Sequence, residues 1–221
     1  IGDLTSIQDY PSVWVDLGDE VGLPPQNKLF NHALKPVRSG DLILVQGANG
    51  SGKTTLLREW SSTANLPWLP TSPDRRLLGM TVQEELDLQH PTLYHQSLLI
   101  DSEPSDEAEK LGVLQSALRL ELGLSHLSMT TPVHDLSTGE RRRLSLLPLL
   151  MRNPPILLLD EIDHGLDDET LAGLLSQIND SRKNGSAVVV TSHSPDLTAW
   201  AKVCGGRIWR IDNGRLEEVE Q

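Results

Sequence analysis

The chain has 221 residues, a formal net charge of −12 and no Lys/Arg block longer than three residues. That is enough chain for one domain with a sizeable core, or a core plus a small subdomain, and without clustered positive charge a nucleic-acid surface is excluded while a local nucleotide site is not. The single cysteine, Cys204, rules out an internal disulfide and reads as a small apolar filler in a reducing compartment; no apolar run reaches the ~20 residues of a membrane span, and an opening stretch with Asp3, Asp9, Asp16, Asp19 and Glu20 does not make a secretory signal.

The start at Ile1 rather than Met suits a fragment of something longer. Residues 1–28 carry little pattern beyond a strand-like Ser12–Asp16 and a loop at Gly22-Leu-Pro-Pro25. Leu29-Phe30 and Leu34-Lys-Pro-Val37 look like short β pieces before a turn at Arg38-Ser-Gly-Asp41. Tyr10 and Trp14 could stack on a planar base, but both read more simply as core or surface aromatics.

Leu42-Ile-Leu-Val45 predicts a buried strand and Thr55–Trp60 a helix. Between them, Gly47-Ala-Asn-Gly-Ser-Gly-Lys-Thr-Thr55 fits the spacing G-x-x-x-x-G-K-[ST] through Gly47, Gly52, Lys53 and Thr54. Glycine lets the backbone curl so that successive N–H groups point at phosphate oxygens, and a helix N-terminus adds partial positive charge at the same place. Gly47, Asn49, Gly50, Ser51, Gly52, Lys53, Thr54 and Thr55 are therefore candidate nucleotide-phosphate-binding residues. Lys53 can reach the β- and γ-phosphates, and the Thr54 hydroxyl can ligate Mg²⁺.

Three prolines make Asn65–Asp74 an extended segment or loop. Thr81 followed by Glu84 resembles a capping box that opens a helix. Residues 87–135 read as a helical insertion: Asp101–Glu109 is an acidic loop or helix start, and Leu111, Leu114, Leu118 and Leu122 mark an amphipathic helix. Leu136-Ser-Thr-Gly-Glu140 then opens a helix through Leu150, in which Pro148 should cause a kink or shorten the hydrogen-bond ladder. Asn153-Pro-Pro155 stops it.

Ile156-Leu-Leu-Leu159 and Ala187-Val-Val-Val190 are wholly apolar runs, typical of parallel strands buried on both faces. Between them Asp167 or Asp168 can cap a helix with an apolar face of Leu171, Leu174, Leu175 and Ile178, ended by Asn184-Gly185. Arg207–Ile211 and Leu216–Val219 read as a hairpin about Asn213-Gly214. The two apolar strands run into Asp160-Glu161 and Thr191-Ser-His193, so their polar ends and the glycine loop fall at one edge of a parallel sheet, where ligands bind in open α/β folds. There Asp160 can hold Mg²⁺ through water, Glu161 can act as general base on an attacking water, and His193 can sense the γ-phosphate.

These motifs and their order resemble the ATP-binding-cassette (ABC) ATPases over residues 29 to 219. Gly47–Thr54 is similar to the Walker A loop, Leu136–Glu140 to the LSGGQ signature, Ile156–Glu161 to Walker B with the catalytic glutamate, Ile162–Asp167 to the D-loop, and His193 to the switch histidine. The resemblance implies a P-loop α/β fold with a RecA-like core, an antiparallel β subdomain and a helical subdomain at about 84–150, all in one ATPase domain over 1–221. It also implies ATP and Mg²⁺ as ligands and a head-to-tail homodimer or heterodimer. In that pair Ser137 and Gly139 meet the γ-phosphate held by the other subunit.

The departures are Thr71 at the Q-loop glutamine, Ile162 where many transporters have proline, Thr138 for a signature glycine, and Pro148. The stretch Pro73–Glu85 is similar to energy-coupling-factor importers, and Leu29–Asp41 to the haem-exporter ATPase of cytochrome c maturation. Leu159–Asp167 instead resembles the soluble iron–sulfur-cluster assembly ATPase. The resemblance therefore implies a cytoplasmic ATPase held at the inner face of a membrane by a permease subunit, with a soluble ATPase remodelling a protein assembly as the alternative.

Overall fold

The structure, a computed structural model, describes residues 16–17, 20–21, 37–72, 77–89, 106–212 and 215–219. Tyr10, Trp14 and the Asn213-Gly214 turn lie outside the described residues, as do most of the β pieces expected before residue 37.

Two sheets organise the chain. A small antiparallel sheet joins β1 (Asp16–Leu17), β2 (Glu20–Val21) and β3 (Val37–Arg38), with Val21 opposite Val37. The turn after β3 closes as expected: the Asp41 N–H donates to the Arg38 carbonyl at 3.0 Å, and Gly40 takes a left-handed φ of 78°. The main sheet has six strands in the order β5-β6-β7-β4-β8-β9. Its members are β4 (Leu42–Gln46), β5 (Trp68–Leu69), β6 (Ile156–Asp160), β7 (Ala187–Thr191), β8 (Arg207–Asp212) and β9 (Arg215–Val219). All neighbours are parallel except β8 and β9, the expected hairpin. Pro67 and Pro70 bracket β5, and a strand flanked by residues that cannot donate to a ladder belongs at an edge, where β5 lies.

The strands are apolar throughout because both faces are covered. Leu42, Leu44, Leu157, Leu159, Val188 and Val190 face one side. They pack with α2 (Val82–Gln89), α3 (Asp106–Glu121), α4 (Thr138–Arg152), α5 (Asp168–Lys183) and α6 (Pro195–Val203). Ile43, Val45, Ile156, Leu158, Ala187 and Val189 face the other side, against Leu56, Leu57 and Trp60 of α1 (Lys53–Ala64). There Trp60 meets Trp209 edge to face at 6.1 Å. Each such side chain taken out of water stabilises the fold by about 1.5–3 kcal/mol, so the alternation fixes the register of the sheet.

The helix signals fall where the sequence places them. Thr81 accepts from the Glu84 N–H at 3.2 Å, while the Glu84 carboxylate reaches back to the Met80 N–H rather than to Thr81. Leu111, Leu118 and Leu122 are buried and Leu114 partly so. Asp167 caps α5 through the Thr170 N–H at 2.9 Å. Helix α4 runs on through buried Pro148 to Arg152, so the proline removes one donor without ending the helix. Cys204 is partly buried against the core after α6, as a filler would be. Among the described residues, no helix is long and apolar enough to cross a membrane.

Candidate active site

The parallel register sets the site. Asp160 at the end of β6 lies opposite Thr191 at the end of β7, and Val45 of β4 lies opposite Thr191 from the other side. Everything that follows these three strands emerges at one edge.

The loop after β4 is a glycine cradle. A Cβ on Gly47 would come within 2.6 Å of Ser51 Oγ and 2.7 Å of the Ile211 carbonyl, so no larger residue fits. Gly50 and Gly52 hold left-handed φ values of 79° and 105°. Gly52 caps α1 without any side chain, which leaves the first N–H groups of the helix for a ligand. Ser51 Oγ is buried with no hydrogen-bond partner. An orphaned hydroxyl inside a curl of amides at a helix start suits a phosphate group.

Lys53 is 4% exposed, and its ammonium donates to the carbonyls of Gly47 and Ala48 at 2.9 and 3.2 Å. Burial pushes its pKa down, against the pull of Glu161 and Asp160. It stands as a cation held by its own loop and open to exchange those carbonyls for phosphate oxygens. Asn49 and Gly50 are exposed at the loop tip, and Thr55 lies on the open side of the first turn of α1.

Asp160 is fully buried and is satisfied entirely by hydroxyls. Thr54 Oγ1 and Thr71 Oγ1 each donate to its Oδ2 at 2.8 Å, and Thr191 Oγ1 donates to its Oδ1 at 2.6 Å. Thr71, flagged in the sequence only as a replacement for a glutamine, thus reaches the carboxylate from the end of β5. These are hard oxygen donors around one anionic atom, the donor chemistry that Mg²⁺ takes.

Glu161 follows at φ 49°, a left-handed backbone that side chains rarely adopt. Its N–H donates to Thr191 Oγ1 at 2.9 Å, which turns the side chain out of the strand. Its Oε1 comes within 3.5 Å of His193 Nε2, and both groups are partly exposed. Next to them Ser192 Oγ donates to Asp163 at 2.9 Å, tying the end of β7 to the stretch after Glu161.

Ser137 and Gly139 stand apart from this cluster. Ser137 caps α4 in a reciprocal box: its Oγ accepts from the Glu140 N–H at 3.2 Å, and its own N–H donates to Glu140 Oε2 at 2.7 Å. The Glu140 carboxyl titrates at about 2, held down by the Ser137 bonds and then by His126 at 2.8 Å. Gly139 packs so closely that a Cβ there would meet the Gly165 carbonyl at 3.2 Å. The structure therefore gathers Gly47–Thr54, Asp160, Glu161 and His193, and leaves Ser137 facing outward.

Two members of the site were missed in the sequence. Thr191 is the polar residue that ends the apolar β7, and only the strand register reveals that it faces Asp160. Arg142 is 4% exposed and donates to the carbonyls of Thr71, Asp160 and Glu161. It was hidden in the run Arg141-Arg-Arg143, although it shares a helix stripe with Leu146, Leu149 and Leu150.

Comparison with known proteins follows the same geometry. The family model described as ABC transporter matches residues 31–163. The cytochrome c biogenesis ATP-binding export protein CcmA of Pseudomonas savastanoi pv. phaseolicola is 32% identical over 178 residues, covering 75% of this chain and 81% of that protein. ABC transporter G family member 21 of Arabidopsis thaliana is 31% identical over 206 residues, and this chain spans only 30% of its length. Among solved structures, an ATP-binding subunit of an ABC transporter superposes with a TM-score of 0.66 at 19% identity, over 91% of this chain and 87% of that one, a likeness of fold.

Proposed function

The chain belongs to the ABC transporter family and carries its P-loop ATPase domain, and from that premise we propose that it binds Mg-ATP, hydrolyses it, and energises a membrane transporter. The observation that carries the reading is the meeting of the phosphate loop and Asp160 through Thr54 at 2.8 Å, with Glu161 beside His193 at the same sheet edge. The loop amides, the orphaned Ser51 hydroxyl and Lys53 hold the β- and γ-phosphates. Thr54 and Asp160 would hold Mg²⁺, with Thr71 in reach of the same carboxylate oxygen. Bound there, the ion neutralises phosphate charge.

Glu161 takes the proton of a water as that water attacks the γ-phosphorus, and ADP leaves with the electrons of the broken P–O bond. His193, against Glu161, orients the carboxylate and meets the γ-phosphate. Ser137 and Gly139 complete the site of a second copy or sibling subunit, a reading supported by the N-terminal dipole of their helix tip and the exposed Ser137. Helices α2 to α4, within about 84–150, form the subdomain that presents this tip. The domain works at the inner face of a membrane, held there by a permease subunit.

The test has two arms. Purified protein should bind Mg-ATP by calorimetry, and Lys53→Ala should lose binding or turnover. Detergent extraction should recover the chain with a multi-span membrane subunit. Recovery with soluble partners alone, together with ATPase stimulation by a soluble scaffold without lipid, would replace the transporter by a protein-remodelling ATPase.

A further inference from the structure

We infer that Arg142 is a positioning residue for hydrolysis, a buried clamp that holds the backbone of Glu161 in its left-handed turn and ties it to the helix that carries Ser137 and Gly139. The inference rests on the reading of Glu161 as general base. Arg142 lies one turn into α4 and is 4% exposed. Its Nη2 donates to the Asp160 and Glu161 carbonyls, each at 2.5 Å, and its Nη1 donates to the Thr71 carbonyl at 2.6 Å. One guanidinium therefore joins the ends of β5 and β6 to α4.

The partners are informative because they are carbonyls. Asp160, Glu161 and Asp163 are near enough to favour the charged form of Arg142 against the desolvation that lowers its pKa. Yet the fork is used on the main chain, so the carboxylate of Glu161 stays free to face His193. A planar fork can bridge several acceptors at once, whereas an ammonium on a flexible stem offers only a point charge.

The backbone of Glu161 needs such a clamp. A non-glycine residue at φ 49° is strained and persists only where its surroundings over-determine it. Here both of its peptide groups are held: the N–H by Thr191 Oγ1 at 2.9 Å, and the carbonyl by Arg142 together with the His164 N–H at 3.1 Å. Removing the guanidinium leaves that carbonyl to the His164 N–H alone and unties it from Asp160 and Thr71, and the carboxylate then samples directions in which it meets no attacking water. Since the same side chain is fixed in α4, a movement of the helix tip carries the base with it. Phosphate binding by the loop uses none of these contacts.

The experiment separates the two steps. For full-length wild type, Arg142→Gln and Arg142→Lys, steady-state hydrolysis gives kcat, and calorimetry with Mg²⁺ and a non-hydrolysable ATP analogue gives Kd. Arg142→Gln should lower kcat by about tenfold to a hundredfold, as expected for a misplaced catalytic group. Its Kd should stay within about twofold, and Arg142→Lys should recover part of kcat. A kcat within about twofold of wild type, or a kcat that falls only in proportion to binding or to the folded fraction, overturns the inference. Should Arg142→Gln lack a cooperative melting transition, Arg142→Lys decides alone: a lower kcat at unchanged Kd supports the clamp, and wild-type kcat removes it. Wild-type protein that binds the analogue but does not turn over ATP would instead overturn the general-base reading, and this one with it.

Discussion

The edge around Asp160 and the tip around Ser137 are built on opposite terms. At Asp160 a fully buried carboxylate is met by three threonine hydroxyls from three different segments, and a buried arginine closes the main chain behind it. At Ser137 an exposed hydroxyl and one carboxylate satisfy each other within a single helix turn, with His126 as a further partner of the carboxylate. Polar groups buried in a low dielectric must all be paired, so the first region is rigid and intolerant of change. The second is solvated and locally stable, as suits a surface that waits for another molecule. On the function proposed above, the contrast divides the chemistry: cleavage is prepared around Asp160 and Glu161, and the Ser137 tip is left for a second subunit.

The largest expected effect tests the first half of that division. Glu161→Gln keeps shape and removes the base, so hydrolysis should fall by about a hundredfold to ten-thousandfold. Binding of Mg-ATP should persist, because the loop, Lys53 and Asp160 are untouched, and the stalled protein should run as a dimer in gel filtration with ATP. Normal turnover in this variant would move the base elsewhere.

A smaller effect tests how closed the buried edge is. Thr191→Val preserves volume but strips the donor from Asp160 Oδ1 and the acceptor from the Glu161 N–H. Two buried groups left unpaired should cost about 2–4 kcal/mol, read as a lower denaturation midpoint at unchanged slope. Thr191→Ser should restore most of it. A Thr191→Val protein as stable as wild type would mean that water reaches Asp160.

The two regions were also unequally legible in the sequence. Gly47, Gly52, Lys53 and Thr54 announce themselves because a phosphate loop needs fixed residue types at fixed spacing between a strand and a helix. Asp160, Glu161 and His193 stand out as polar ends of apolar strands. The apolar runs give the parallel sheet, but the strand order that sets β7 between β4 and β6 is fixed by packing across the whole chain. The role of Thr191 follows from that order, and a threonine at a strand end carries no signal of its own. Arg142 was masked by its neighbours: in a run of three arginines only helix periodicity says which of them turns inward. Pro148 was legible as a lost donor, and the helix packed on the sheet continues past it to Arg152.

The smallest effect belongs to the open tip. Ser137→Ala removes a cap worth about 1 kcal/mol, or roughly 2–4 °C in a domain of this size. Glu140 adds a pH signature to the same box. Its folded carboxyl is held down to about 2, below the ordinary 4.5 of a glutamate. A depressed carboxylate contributes fully above 4.5 and loses that contribution as pH falls toward 2. Glu140→Gln keeps an acceptor for the Ser137 N–H but not the charge, so it should melt slightly below wild type at neutral pH. The gap should close as both proteins are titrated from about pH 4.5 downward, which isolates this carboxyl from the others that protonate in the same range. A gap that stays constant across that range would mean the box works by shape alone, and the tip would then owe its order to the packing of Gly139 against Gly165 rather than to charge.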